Sequence, residues 1–177
     1  MFLFGNKKDS VKISDSIFVK ESAKWNACLE AYNKDASLIC IAWFEETQQK
    51  LQAYLTAQNA SGPQIILYRQ ATSHLLNIKP VIFIEHYPLH EKETTLFTSL
   101  NLNEVKIFSS LDEPLFQYFG GNKIIGIMEK TGINENESLE HPLITTALKN
   151  AQEKIAKKIT IDQSALSQSE WFKRNLK

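Results

Sequence analysis

Glycine and proline are scarce in this chain, 6 and 5 among 177 residues. That scarcity excludes a collagenous or low-complexity chain and argues against a turn-rich all-β fold. Net charge is lacking as well, since 20 Lys and Arg balance 20 Asp and Glu. No global field therefore draws the chain to nucleic acid or to a lipid surface. The two cysteines, Cys28 in "NACLEAY" and Cys40 in "LICIAWF", sit in apolar company and read as buried thiols of a reducing compartment. No apolar run reaches the length of a membrane span. The opening "MFLFGNKKDS" has its charges after its apolar residues, the reverse of a secretion signal, and the expectation is a cytoplasmic protein. Nothing matches the phosphate-cradling pattern GxxxxGK followed by Ser or Thr. No Ser/His/Asp or Cys/His set can be assembled from neighbouring strand ends.

What is present suits one folded unit. Hydrophobic residues make up 43% of the chain, with 10 Phe, enough for a full core. Short apolar runs rich in β-branched residues predict strands at 15–19, 37–44, 64–68 and 80–85, and alternation predicts another at 104–110. Between them, apolar residues at spacings of three and four predict helices over 21–34, 45–59 and 90–100, with a turn or two over 71–77. Strands alternating with helices imply a parallel sheet covered on both faces, an α/β three-layer fold. After residue 111 the strands stop. Two short helices joined at Gly120–Gly121 are expected there, then a polar connector. A long helix should open at Pro142, with Ile144, Leu148, Ala151, Ile155 and Ile159 on one stripe. The body is expected over residues 1–136 and the helical extension over 137–177. Charge divides similarly: 142–177 holds 7 Lys/Arg against 3 Asp/Glu, and 1–141 holds 13 against 17.

Residues 110–155 carry a more specific signal. They contain Ser110, Leu111 and the acidic pair Asp112–Glu113, then Phe119 with Gly120 and Gly121. A short amphipathic run from Ile124 to Gly132 follows, then Glu140–His141, then an alanine-glutamine-lysine helix that includes Ala151 and Gln152. In order and spacing this stretch resembles the protein-translocation motor SecA, where its second motor lobe ends and its long scaffold helix begins. Upstream, "PVIFIEH" (80–86), with Glu85 and His86, and "SLICIAWFEETQQKLQAYL" (37–55) are similar to that lobe more weakly. The resemblance implies a RecA-like, Rossmann-like parallel sheet with a helical C-terminal extension.

The departures from that family bear on chemistry. Its second lobe acts in ATP hydrolysis through a glycine-arginine-glycine-threonine-aspartate loop and a pair of arginines on a helix. Where these should fall the chain reads "RQATSHLLNIK" (69–79) and "HEKETTLFTSLNLNEV" (90–105). The second stretch has no arginine, whose planar guanidinium stabilises charge developing on a transferred phosphoryl group; Lys92 is a poor substitute. The expectation is a non-catalytic module without cofactor or metal. It would contact a protein partner, either a translocation motor or an identical subunit, and would not bind nucleic acid. The alternative is a nucleotide- or metal-binding regulator or enzyme that uses the carboxyl rim of the sheet.

Individual residues carry bland readings beside functional ones. His86 and His90 are four apart, a zinc-binding spacing on a helix, but Pro88 lies between them. A strand-end turn with a histidine capping the next helix is the simpler account. Glu85, Glu45 and Glu46 lie at strand ends, where α/β sheets place ligands; the last two serve equally as first-turn helix charges. His141 reads as part of a helix cap, and Lys154, Lys157 and Lys158 as a solvated helix face. Asp112, Glu113, Phe116 and Phe119 are expected to hold the first post-sheet helix on the core. Ile155, Ile159, Leu166, Trp171 and Phe172 form a candidate partner surface. Residues after 160 either fold back or pair with another chain, and pairing as a homodimer is the expectation, because "ITIDQSALSQ" offers no Gly or Pro for a turn.

Overall fold

The computed structural model describes residues 11–119, 134 and 137–176. The strands are β1 (Lys12–Phe18), β2 (Ile39–Ala42), β3 (Gln64–Leu67), β4 (Val81–Phe83), β5 (Glu104–Ser110) and β6 (Ser138–Leu139). The helices are α1 (Glu21–Lys34), α2 (Glu45–Ala57), α3 (Ser73–Leu76), α4 (His90–Ser99), α5 (Pro114–Tyr118), α6 (Pro142–Ala156) and α7 (Gln168–Asn175). Among the described residues the strands form one sheet in the order β3-β2-β4-β5-β1-β6. All pairings are parallel except that of β6 with β1. This is the α/β three-layer arrangement of RecA-like and Rossmann-like domains.

Period-two alternation divides the core into two layers. Cys40, Ala42, Ile82, Ile84 and Phe108 point to one face, under α1 and α2, where Trp25, Cys28, Leu51 and Leu55 cover them. Ile39, Ile41, Phe83 and Ile107 point to the other face, where Phe97 of α4, Leu148 and Ile155 of α6 and Trp171 of α7 close over them. Because β2 and β4 are buried on both sides, they read in sequence as unbroken apolar runs. Cys28 and Cys40 are free and buried, and the Cys40 thiol is held well up by its hydrogen bond with Cys28 and by burial.

Connections from β1 and β2 leave over the first face, while that from β4 leaves over the second. The chain therefore diverges between the carboxyl ends of the adjacent strands β2 and β4, the topological switch point at which α/β sheets form a crevice.

Several expectations are corrected. β1 begins at Lys12, its first residues pairing with Glu104 and Val105. The connector before Pro142 contains β6, two residues paired with Ile17 and Phe18, too short to register as a pattern. The long helix stops at Ala156, short of the expected stripe position Ile159. Lys158 and Ile159 tighten into three-residue turns onto Ile155 and Ala156, and the β-branched run Ile159–Thr160–Ile161 does not favour continuation. The tail then folds back as α7, with Trp171 fully buried in its own chain's core, so the expected pairing through an exposed tail stripe does not describe this fold. Gly120, Gly121 and the run Ile124–Gly132 lie outside the described residues.

Candidate functional site

The carboxyl rim of the sheet concentrates buried charge. Glu85 follows β4 and is 2% exposed. Its Oε1 accepts the backbone N–H groups of Trp43 and Phe44, each at 2.9 Å, and its Oε2 accepts the Thr47 hydroxyl at 2.7 Å. These donors line the chain's entry into α2, where backbone N–H groups gather that suit an anion. The Glu85 side chain, just after β4, thus supplies the acceptor itself. Burial pushes the Glu85 carboxyl up to about 8 against the lowering effect of the Thr47 hydrogen bond.

A parallel arrangement explains the acidic pair after β5. Asp112 Oδ2 accepts the backbone N–H of Glu21 at 3.2 Å and so caps α1 from a distant loop. Glu113 is buried and accepts the Lys24 ammonium at 2.6 Å and the Ser110 N–H at 2.8 Å through Oε1. Lys24, 1% exposed, also donates to the Ile84 carbonyl at 2.9 Å. Burial holds the Glu113 carboxyl above its usual range, and Lys24 partly offsets that. A cavity of about 190 Å³ lies over this cluster, with Glu85, Asp112, Glu113 and Lys24 in its wall.

Next to Glu85, His86 stands between two carboxylates. Its Nε2 is 2.8 Å from Asp15 Oδ1 on β1, and its Nδ1 is 2.9 Å from Glu93 Oε1 on α4. Burial favours the neutral ring, but Glu93 and Asp15 outweigh it and hold the imidazolium pKa well above its usual value. For Asp15 burial acts upward, and His86 reverses it to leave the carboxyl below its usual range. The outer oxygens of both acids hold α6: Thr145 donates its hydroxyl to Asp15, and the Gln152 amide reaches Glu93 at 2.8 Å and the Tyr87 carbonyl at 2.7 Å. One buried triad therefore joins β1, α4 and α6.

The tail closes the rim. Gln168 accepts the Leu115 N–H at 2.7 Å and donates to the His86 carbonyl at 3.0 Å. The Leu166 carbonyl accepts from Glu46 N at 3.1 Å. The Trp171 indole donates to Tyr87 Oη and to Asp162 at 2.9 and 2.7 Å. Lys92 pairs with Asp162 at 2.7 Å. The Lys92 ammonium, at the position considered against the family's arginines, is thus held by the chain's own tail.

Other expected residues fall as follows. Ser110 and Leu111 are buried, and Leu111 N continues the sheet bonding to Phe18 at 2.9 Å. His141 accepts Leu143 N and caps α6, and Glu140 accepts the Ser16 hydroxyl at 2.5 Å. Ala151 is half-buried on α6. Glu45 pairs with Arg69, and Glu46 with Lys50. His90 opens α4, and among the described residues no group of ligating side chains could hold a metal ion. Phe116 is buried, but Phe119 is 38% exposed: it lies beyond the end of α5, so the three-residue spacing no longer places the two rings on one face. Of the candidate partner surface, Ile155 and Trp171 are buried, Ile159 and Phe172 half-buried and Leu166 exposed. Sequence reading missed Lys24, Asp15, Glu93 and Tyr87, because a charged residue inside a helical or strand pattern reads as solvent-facing. It also missed the start of α7, although Ser167 three residues before Glu170 is a capping signature, and Ser167 Oγ does accept Glu170 N at 3.1 Å.

No family model matches the chain. Among curated proteins it is similar to the protein translocase subunit SecA of Acidithiobacillus ferrooxidans, 42% identical over 50 residues, which is 28% of this chain and 6% of that protein. The SecA of Desulforapulum autotrophicum is 46% identical over 50 residues, and that of Syntrophus aciditrophicus 40% identical over 55. Both matches again span 6% of the relative. The chain thus carries a segment related to SecA and corresponds to a small part of those proteins. No helix among the described residues is long and apolar enough to cross a membrane.

Proposed function

We propose that this chain is a non-catalytic, SecA-related module that acts through protein contact, with a translocation motor or a like subunit as partner. The observation that carries this reading is the self-occupied carboxyl rim. An ATPase of this fold class needs the crevice between diverging strands and the helix N-termini around it for phosphate. Here the Glu85 carboxyl takes the donors leading into α2, Asp112 takes the first N–H of α1, and Gln168 of the tail bonds the His86 carbonyl beyond β4. A polyphosphate brought into that crevice would meet buried acidic side chains, and among the described residues lining it the cations are Lys24 and Lys50, both already paired with acids. The lack of an arginine pair and of a phosphate loop in the sequence supports the same conclusion.

The purified chain should release no phosphate from ATP with magnesium above the buffer rate, and ATP should leave its melting temperature unchanged, since a ligand held only by the native state would raise it. Steady hydrolysis that a point substitution within the chain abolishes would overturn the reading.

A further inference from the structure

The tail leaves one part of the rim open. Between the carboxyl ends of β2 and β3 and the tail around Leu166 lies a cavity of about 320 Å³, a size that suits a small ligand. It shares no lining residue with the acidic cavity over Glu85 and Glu113. Sheet register builds its wall. Ala42 pairs with Leu67, and one residue on, the rings of Trp43 and Tyr68 pack with centroids 4.9 Å apart. Tyr87, beyond β4, packs on Trp43 at 5.1 Å. Trp43 is 2% exposed, and its indole Nε1 has no hydrogen-bond partner among the described residues. A buried donor without an acceptor is rare in folded proteins, and in a cavity wall it marks the place of a missing acceptor.

The rest of the wall is also rich in donors. It holds Arg69, Lys92 and Arg174 against one acid, Glu45. The Lys92 ammonium stands 4.2 Å from the Tyr87 ring centroid and 5.9 Å from that of Tyr68. It bonds Tyr87 Oη and Asp162 at 3.0 and 2.7 Å, which leaves one of its three hydrogens. Arg69 gives Nη2 to Glu45 at 2.6 Å, and Arg174 gives Nη1 to the Ser164 carbonyl and Nη2 to Glu170. Both guanidinium groups keep further N–H groups, and both of these ion pairs lie at the surface, where such a pair holds weakly.

We propose that this cavity is a binding site for a small organic carboxylate with a flat apolar body. The carboxylate accepts from Trp43 Nε1 and from Lys92, which both border the Tyr68 ring. The body lies against Tyr68, with Arg69 and Arg174 at the mouth. Donor-only groups favour a charged acceptor, and the rings favour a flat body over a bare inorganic anion. The site does not depend on how the chain meets a protein partner.

The test is a titration of the full chain with benzoate at constant ionic strength, read from its three tryptophan indole N–H signals after assignment through the backbone. The Trp43 indole proton should move downfield along a saturating curve, with half-saturation at about 1 mM or below, as Nε1 gains an acceptor. The signals of Trp25 and Trp171 should stay. Benzamide keeps the ring without the charge, and inorganic phosphate keeps the charge without the ring; each should bind about tenfold more weakly or worse. Arg69→Gln, at a surface side chain, should leave the fold intact and weaken benzoate about fivefold. No saturating movement of the Trp43 signal by about 20 mM benzoate overturns the proposal. So does benzamide or phosphate binding as tightly as benzoate, and so does unchanged benzoate affinity in Arg69→Gln.

Discussion

Replacing Lys24 by methionine keeps the volume and removes the charge from the pair that joins α1 to the turn after β5. The ammonium and Glu113 Oε1 are 2.6 Å apart, with side chains 1% and 8% exposed. At that separation an effective dielectric of about 20 gives about 6 kcal/mol of attraction. Withdrawing two ions from water costs several kcal/mol each, so the intact pair contributes little net. Breaking it is different. Lys24→Met leaves Glu113 buried without its cation and the Ile84 carbonyl without a donor, a loss of about 3–5 kcal/mol. Glu113→Gln keeps an acceptor for the Ser110 N–H but strands the ammonium, at a similar cost. The double variant removes both charges and should lose no more than either single variant, which corresponds to a coupling energy of at least about 3 kcal/mol. Urea denaturation of the four proteins at pH 7, with m-values compared, measures this. A loss below about 1 kcal/mol for Lys24→Met, or additive single effects, would refute the account of a dry, mutually dependent pair.

The buried triad predicts pH dependence at the attachment of α6. Because His86 is held above its ordinary pKa by Glu93 and Asp15, its stabilisation is complete below the unfolded value of about 6.5 and is lost as pH rises through the folded value. His86→Gln should flatten that alkaline limb in denaturation curves, and an unchanged limb would assign it to other groups. Glu85 has linkage of the same sign in a lower window: with its pKa raised to about 8, the native state holds a proton that the unfolded chain releases near about 4.3, so it lowers stability progressively from there to about 8. Glu85→Gln, which keeps an acceptor for Trp43 and Phe44 N–H, should therefore gain stability relative to the unsubstituted chain as pH rises across that window; a constant difference would contradict the assignment. Phe116→Ala should cost about 3–5 kcal/mol, while Phe119→Ala, at a ring 38% exposed, should cost under about 1 kcal/mol. Equal losses on thermal denaturation would mean that Phe119 is packed.

The layer order was legible in the sequence because apolar runs such as 37–44 and 80–85 record burial on both faces, and helical spacing records a covered stripe. The resemblance of residues 110–155 to the translocation motor also needed nothing beyond residue order. That stretch begins "SLDE" for reasons that only the fold supplies. Asp112 caps α1, 91 residues earlier in sequence, and Glu113 meets Lys24 across the top of the sheet. Linear spacing predicts neighbours within an element, but it carries no information about which loop crosses which strand end. The same limit hid the His86 triad, whose members come from β1, the turn after β4, and α4. It also misled the reading of the tail, for which pairing with another chain was the expectation. Without Gly or Pro the chain still reverses after Ala156, because Asp162, Gln163 and Ser164 find partners in Tyr87, Asn175 and Arg174. A turn built from side chains distant in sequence leaves no local signature. Sequence therefore determined most helices and strands of the body, though not β6 or the start of α7, and that a core would form. Tertiary structure decided that the rim would be filled by the chain's own carboxylates and tail, since desolvation and pairing arise only once those groups are brought together.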